Sequence, residues 1–208
     1  MTEILSPSLR ERRKAETWTA LHEAAASLAL ERGLDQATVE AIADSAGVSP
    51  RTFFNYFRAK EDAILGLHEP VLDPELLSRF TAEDDLVGQV SRLLVTVART
   101  ALGDTDAARR RQLMLRDPHL GQRQMEYMVK AEELVRQAVA GLLVRDPSWS
   151  AGAEGFGPDE TARMLVMIAG VPVRFNLTSA GYDPVKGLRP EDLGPSLDLL
   201  HHLQRKLT

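Results

Sequence analysis

Residues 37–65 read ATVEAIADSAGVSPRTFFNYFRAKEDAIL, and the order of residue types in this stretch decides the fold of its segment. Thr38 precedes an apolar set at Val39, Ile42 and Ala43, the pattern of an N-cap ahead of a short amphipathic helix. Gly47 ends that helix: the chain must take a left-handed backbone to turn there, and glycine does so without strain. Ser49 then caps a second short helix. Pro50 suits its first turn, where the missing N–H has no partner to lose.

Two short helices joined through Ala46-Gly47-Val48-Ser49 make a helix-turn-helix, the motif whose second helix can enter the major groove of DNA. Val48 plugs the angle between them. On a helix beginning at Pro50, Phe53 and Phe57 lie four apart and point inward, which leaves Arg51, Thr52, Asn55 and Tyr56 outward. That set offers a guanidinium suited to guanine, an amide suited to adenine, and hydroxyls for phosphates or base edges. Ser49 adds a hydroxyl and the free N–H groups of a helix start, and Lys60, opening the next helix, can reach the DNA backbone.

The chain has 208 residues, no cysteine and a formal net charge of -5. That length supports two modest cores without disulfides, and the lack of cysteine excludes thiolate metal sites and a cysteine nucleophile. A negative net charge opposes phosphate binding, so the distribution decides. RERRK at 10–14 and the run holding Arg51, Arg58 and Lys60 are positive patches on an acidic chain. No secretory leader pattern and no run of 18 apolar residues occurs, so a soluble protein of the cytoplasm is expected.

Helical periodicity continues along the chain. Trp18, Leu21, Ala25 and Leu28 predict a first helix over about 9–32, closed by Gly33, and residues from Lys60 to about Leu67 predict a fourth. Leu86, Val90, Leu93, Val97 and Ala101 mark a helix over about 83–102, and Asp104 is placed to cap the next, through Arg109–Arg111 to about Arg116. Pro118 opens a long helix carrying Leu120, Met128, Ala131, Val135, Ala138 and Leu142. A loop at about 145–158 leads to an apolar helix over 159–180, and Leu193, Leu197, Leu200, Leu203 and Leu207 form a last stripe. Without sustained strand alternation the expectation is an all-α fold of about nine helices, divided into 1–67 and 68–208.

The run at 37–65 resembles the DNA-binding region of TetR-family transcriptional regulators, through Thr38, Ile42, Ala43, Ala46, Gly47, Val48, Ser49, Thr52, Phe53, Tyr56, Phe57, Lys60 and Glu61. The resemblance implies a DNA-binding set of Thr38, Ser49, Pro50, Arg51, Thr52, Phe54, Asn55, Tyr56 and Lys60. Phe54 departs from the pattern, since the family usually has a tyrosine whose hydroxyl bonds a phosphate there. It is left as an apolar contact to sugar or a thymine methyl. The family also implies a ligand-responsive repressor, acting as a homodimer on a palindromic operator in double-stranded DNA, with the helices at 159–180 and 193–207 pairing between subunits.

R-R-R-x-x-L-M-L-R-D-P-x-L at 109–120 is similar to the C-terminal domain of actinobacterial regulators of this type with acyl-CoA-like ligands. An apolar or acyl-type effector is therefore expected. Met114, Met125, Met128, Met164 and Met167 can line an adaptable pocket, with Arg174, Phe175 and Asn176 to orient a head group. Pro172 is expected to free a carbonyl near 168 and open space. Arg109–Arg111 read as a solvated face or as a phosphate site. His201 and His202 diverge and cannot chelate one metal together. No cofactor, no metal and no membrane association is expected. No H-E-x-x-H, G-x-S-x-G or comparable arrangement suggests an enzyme. The alternative is a DNA-bound adaptor that takes a protein partner and no small molecule.

Overall fold

The computed structural model describes residues 8–78, 80, 85–103, 106–146 and 155–207. Within them the chain is all-α, with helices α1 (Leu9–Arg32), α2 (Val39–Ser45), α3 (Pro50–Phe53), α4 (Lys60–Leu65), α5 (Pro74–Ser78), α6 (Leu86–Leu102), α7 (Ala107–Arg116), α8 (Pro118–Arg145), α9 (Pro158–Leu177) and α10 (Gly194–Leu207), the last preceded by a 3-10 turn at Pro190–Leu193. The nine expected helices are present, and α5 is an addition: five residues are too few to show a period. Asp104 lies outside the described residues. Asp85 caps α6, accepting the Gly88 N–H at 2.8 Å.

Two compact units form. The first is the chain up to Leu67 together with Ala108–Gln124, so it takes in more than the segment up to residue 67. Ser8 caps α1, and the apolar side of that helix, Leu21, Ala25, Ala26 and Leu28, is buried where α1 packs on α2 and α4. Four arginines attach the returning segment. Arg109 grips Glu23 through two bonds of 2.8 Å, Arg110 donates to the Leu65 carbonyl at 2.9 Å, Arg116 donates to the Leu30 carbonyl, and Arg123 holds Asp62. The expected solvated or ligand-facing role is thereby corrected for Arg109 and Arg110, whose side chains are spent on α1 and α4; Arg111 is exposed.

The second unit comprises His68–Ala107 and the chain from Met125 onward. Its core joins Val90, Leu93 and Val97 of α6 to Ala131, Val135, Val139 and Leu143 of α8 and Ala162, Val166 and Ala169 of α9. On α8 the buried row with Tyr127 steps by four residues throughout, so Val139 and Leu143 are buried while the expected Ala138 and Leu142 are half-buried. A row at i+4 is the ridge that interlocks with a neighbouring helix, and it drifts from a strict 3.6 period. A smaller cluster, Val95, Leu193 and Leu197, seats α10 against α6.

Candidate nucleic-acid interface

The helix-turn-helix is built by capping at both helix starts. Thr38 accepts the Ala41 N–H at 3.2 Å, and Ser49 accepts the Thr52 N–H at 3.1 Å. Between them Gly47 has φ +68°, its N–H bonded to the Asp44 carbonyl, and Val48 closes the turn by donating to Ala43. No heavy atom lies within 4 Å of where a Gly47 Cβ would stand, so glycine is required by backbone conformation alone.

α3 is shorter than its sequence period suggests. Bonds from Phe53 to Ser49 and from Phe54 to Pro50 are α-type, and then Asn55 bonds Thr52 and Tyr56 bonds Phe53 in the tighter i−3 pattern. The Phe57 N–H returns to the Phe53 carbonyl at 3.0 Å, so the two rings still share a side. Phe53 is fully buried and Phe57 is 3% exposed. Their centroids lie 5.7 Å apart, and Trp18 stands 5.4 Å from Phe57, a stack that fixes α3 against α1.

The opposite side faces solvent. Thr38, Ser49, Pro50, Arg51, Phe54 and Asn55 are exposed, and Thr52 and Tyr56 are half-buried. Ser49 Oγ and Thr52 Oγ1 are 2.9 Å apart, so one hydroxyl proton is used between them. One remains to donate outward, even though the Ser49 oxygen is already committed as a cap. Phe54 is 59% exposed and stands edge-on to Phe53 at 5.4 Å. Lys60 is placed otherwise than expected. Its ammonium is half-buried and donates to the Leu34 carbonyl at 2.7 Å, tying α4 to the loop after α1.

Behind this surface lie residues that no local pattern singles out. Asp62 is 1% exposed and receives two bonds from Arg123, at 2.7 and 2.9 Å, across 61 positions of sequence, as well as the Ala59 N–H at 3.1 Å. Nearby, His22 Nδ1–H donates to the Ala63 carbonyl at 2.7 Å, since a carbonyl can only accept. These bonds set the position of α4, which follows α3 directly.

The expected ligand residues are scattered. Met114 belongs to the first unit, while Met125, Met164, Met167 and Phe175 are each more than half exposed and Arg174 is exposed. Met128 is half-buried, and the Asn176 amide donates to the Pro172 carbonyl at 2.8 Å and to Ser196 Oγ at 2.6 Å. The second unit does carry a groove of about 530 Å³, bounded by His68, Glu69, Val71, Thr96, Arg99, Thr100 and Gly103, none of them in the expected set. Among the described residues no helix is long and apolar enough to cross a membrane.

TcmR of Streptomyces glaucescens, an HTH-type transcriptional regulator, is 42% identical to this chain over 59 residues, which are 28% of the chain and 26% of TcmR. The chain thus matches about a quarter of the length of that relative. Among solved structures, NalD, the secondary repressor of the MexAB-OprM multidrug efflux pump in Pseudomonas aeruginosa, aligns with 90% of this chain and 96% of its own. The identity is 20% and the TM-score 0.45. The model of the family described as bacterial regulatory proteins, tetR family, matches residues 21–65, the span from the buried half of α1 through the helix-turn-helix to the end of α4. That segment of the chain is thus similar to the DNA-binding region of the bacterial regulatory proteins of the tetR family.

Proposed function

We propose that this protein is a DNA-binding transcriptional regulator that occupies its operator as a homodimer and answers to a small-molecule effector. The observation that carries the reading is the division of α3 and the turn that follows it: Phe53 and Phe57 are sealed inside, Arg51, Phe54 and Asn55 are exposed, and Thr52 is half-buried beside the capping Ser49. Arg51 and Asn55 supply base-edge donors, and Thr38, the Ser49–Thr52 hydroxyl pair and Tyr56 supply phosphate contacts. Lys60 serves this surface by holding α4 in place. Met128 and Asn176, half-buried in the second unit, are the members of the expected ligand set best placed for an apolar or acyl-type effector.

Two-fold pairing is supported by α9 and α10. α9 buries Ala162, Val166, Ala169 and Pro172 but leaves Met164, Met167, Val171 and Phe175 exposed on a second stripe, and α10 exposes Leu199 and Leu203. Apolar surface of this kind fits a second copy of the chain. A two-fold dimer needs half-sites about one helical turn apart. In-vitro selection of duplex DNA with the purified protein is expected to return a palindromic site; an asymmetric site, or no enrichment, overturns the reading. Stabilisation by fatty acids or acyl thioesters in a thermal-shift series supports the effector, and none at all favours a protein partner instead.

A further inference from the structure

α5 lies over the core of the second unit and meets it through apolar side chains. Leu76 and Leu77 of α5, with Leu72 before it and Phe80 after it, pack half-buried against the cluster shared by α6, α8 and α9, and no residue of α5 is fully enclosed. Among the described residues the hydrogen bonds of α5 and its flanks close on themselves. The Glu75 N–H donates to Asp73 Oδ1 at 2.9 Å, the Leu76 N–H to the Asp73 carbonyl at 3.0 Å, the Ser78 hydroxyl to the Glu75 carbonyl at 2.8 Å and the Phe80 N–H to the Leu77 carbonyl at 3.2 Å. The chain just ahead is fixed differently. The His68 N–H donates to the Ala101 carbonyl at 2.9 Å, the Val71 N–H to Thr100 Oγ1 at 2.8 Å, and Glu69 pairs with Lys130 at 3.2 Å. Directional bonds to α6 and α8 therefore hold the chain as far as Val71, and α5 rests on the core by burial.

That division has a chemical consequence. Apolar attraction is non-directional, so another apolar group of similar volume can take the place of a leucine side chain. Lifting α5 orphans none of these polar groups, because their bonds travel with it. The cluster beneath is aliphatic, and the hydroxyl of Ser91, buried on α6, is already taken by the Val87 and Ala169 carbonyls. Such a floor accepts an alkyl chain and penalises a ligand that would bury polar groups on it. A way in is also present. The groove of about 530 Å³ is bounded by Val71, the last pinned residue, and by Thr96 and Thr100, between which α6 carries the buried core residue Val97. Arg99 on the same wall supplies positive charge for a carboxylate head group.

We infer that α5 is a displaceable lid, and that a fatty acyl chain binds by replacing the lid's side chains on the core, with its carboxylate in the groove. The inference rests on the effector reading above. A site that must first open binds with an affinity reduced by the fraction of molecules already open, so weakening the lid strengthens binding. The test compares the full-length wild type with a Leu76→Ala, Leu77→Ala double variant, titrating each with dodecanoic acid and with butanoic acid, which has the same head group and almost no chain. The variant is expected to bind dodecanoic acid about tenfold more tightly than the wild type. Hydrogen exchange on the wild type gives a measurement independent of the variant: dodecanoic acid should speed exchange of the α5 amides and slow it in α6 and α8. Butanoic acid should do neither.

Equal or weaker binding of dodecanoic acid by a folded variant, or slower exchange across α5 when the wild type is loaded, overturns the lid and leaves the effector reading standing. Butanoic acid that binds as tightly as dodecanoic acid overturns the acyl-chain site. Dodecanoic acid that binds neither protein overturns the whole inference, and the effector reading falls with it only if the thermal-shift series with other fatty acids and acyl thioesters is blank as well.

Discussion

Phe53, Phe54 and Phe57 show what one residue type does at three positions. Two of the rings are closed into the core and the third is open to solvent, with its edge contact to Phe53 holding it there. Adding a hydroxyl at that tip gives a donor at the exposed surface, so Phe54→Tyr is expected to tighten operator binding, read as a lower Kd with fold stability unchanged. Arg51→Ala is expected to cost about 1–3 kcal/mol on the operator and much less on random duplex; equal losses would make Arg51 a phosphate anchor instead of a base reader. Two glycines separate backbone from packing. Gly47 and Gly66 both have positive φ, at +68° and +62°, but a Cβ on Gly66 would stand 2.8 Å from the His22 ring while one on Gly47 meets nothing. Gly47→Ala should therefore cost about 1–2 kcal/mol, and Gly66→Ala distinctly more, since His22 must leave the Ala63 carbonyl; denaturant midpoints compare the two.

Among the elements, α4 is held by charge and α9 by a borrowed hydroxyl. Removing Arg123 leaves the buried Asp62 carboxylate with little beyond the Ala59 N–H, so Arg123→Ala is expected to destabilise the protein by about 3–5 kcal/mol in denaturant unfolding. In α9, Pro172 has no N–H for the Ile168 carbonyl and its ring crowds that turn, yet the helix runs on to Leu177. The next carbonyl, that of Ala169, takes the Ser91 hydroxyl of α6 at 2.9 Å, while the same hydroxyl lies 2.7 Å from the Val87 carbonyl. Between α8 and α9, Arg136 bonds Asp159 as well as Glu133. The Arg136 and Gln137 bonds bring the Glu133 carboxyl down to about 2 from its ordinary 4.5. A depressed carboxyl stabilises the fold above its unfolded value and loses that contribution as pH falls from about 4.5 toward 2. The pair is exposed, so Glu133→Gln should flatten the acid limb of a stability curve by less than about 1 kcal/mol.

For the whole molecule, the unused apolar stripe of α9 and α10 sets the assembly expected. Met167 and Phe175 are exposed within one chain, so replacing them does not disturb its own core. Met167→Glu with Phe175→Glu is expected to give a folded monomer by sedimentation, with helicity retained and operator affinity sharply reduced. A double variant that stays dimeric would move the interface elsewhere. The same surfaces explain why methionine was an ambiguous signal: an adaptable apolar side chain suits a pocket, a core and an interface equally.

Most of the first unit was legible in residue order, because caps, a left-handed glycine and an i+4 aromatic pair act within a few positions of one another. Thr38, Gly47, Ser49, Phe53 and Phe57 each did locally what their chemistry dictates. The sequence by itself determined the all-α class and the helix-turn-helix. Only the tertiary structure decided that Lys60 turns inward to Leu34, that Arg109 and Arg110 clamp α7 to α1 and α4, and that Asp62 meets Arg123. Each of these depends on which distant segments pack together, and a charged side chain carries no mark of whether its partner will be water, phosphate or a carboxylate 61 positions away.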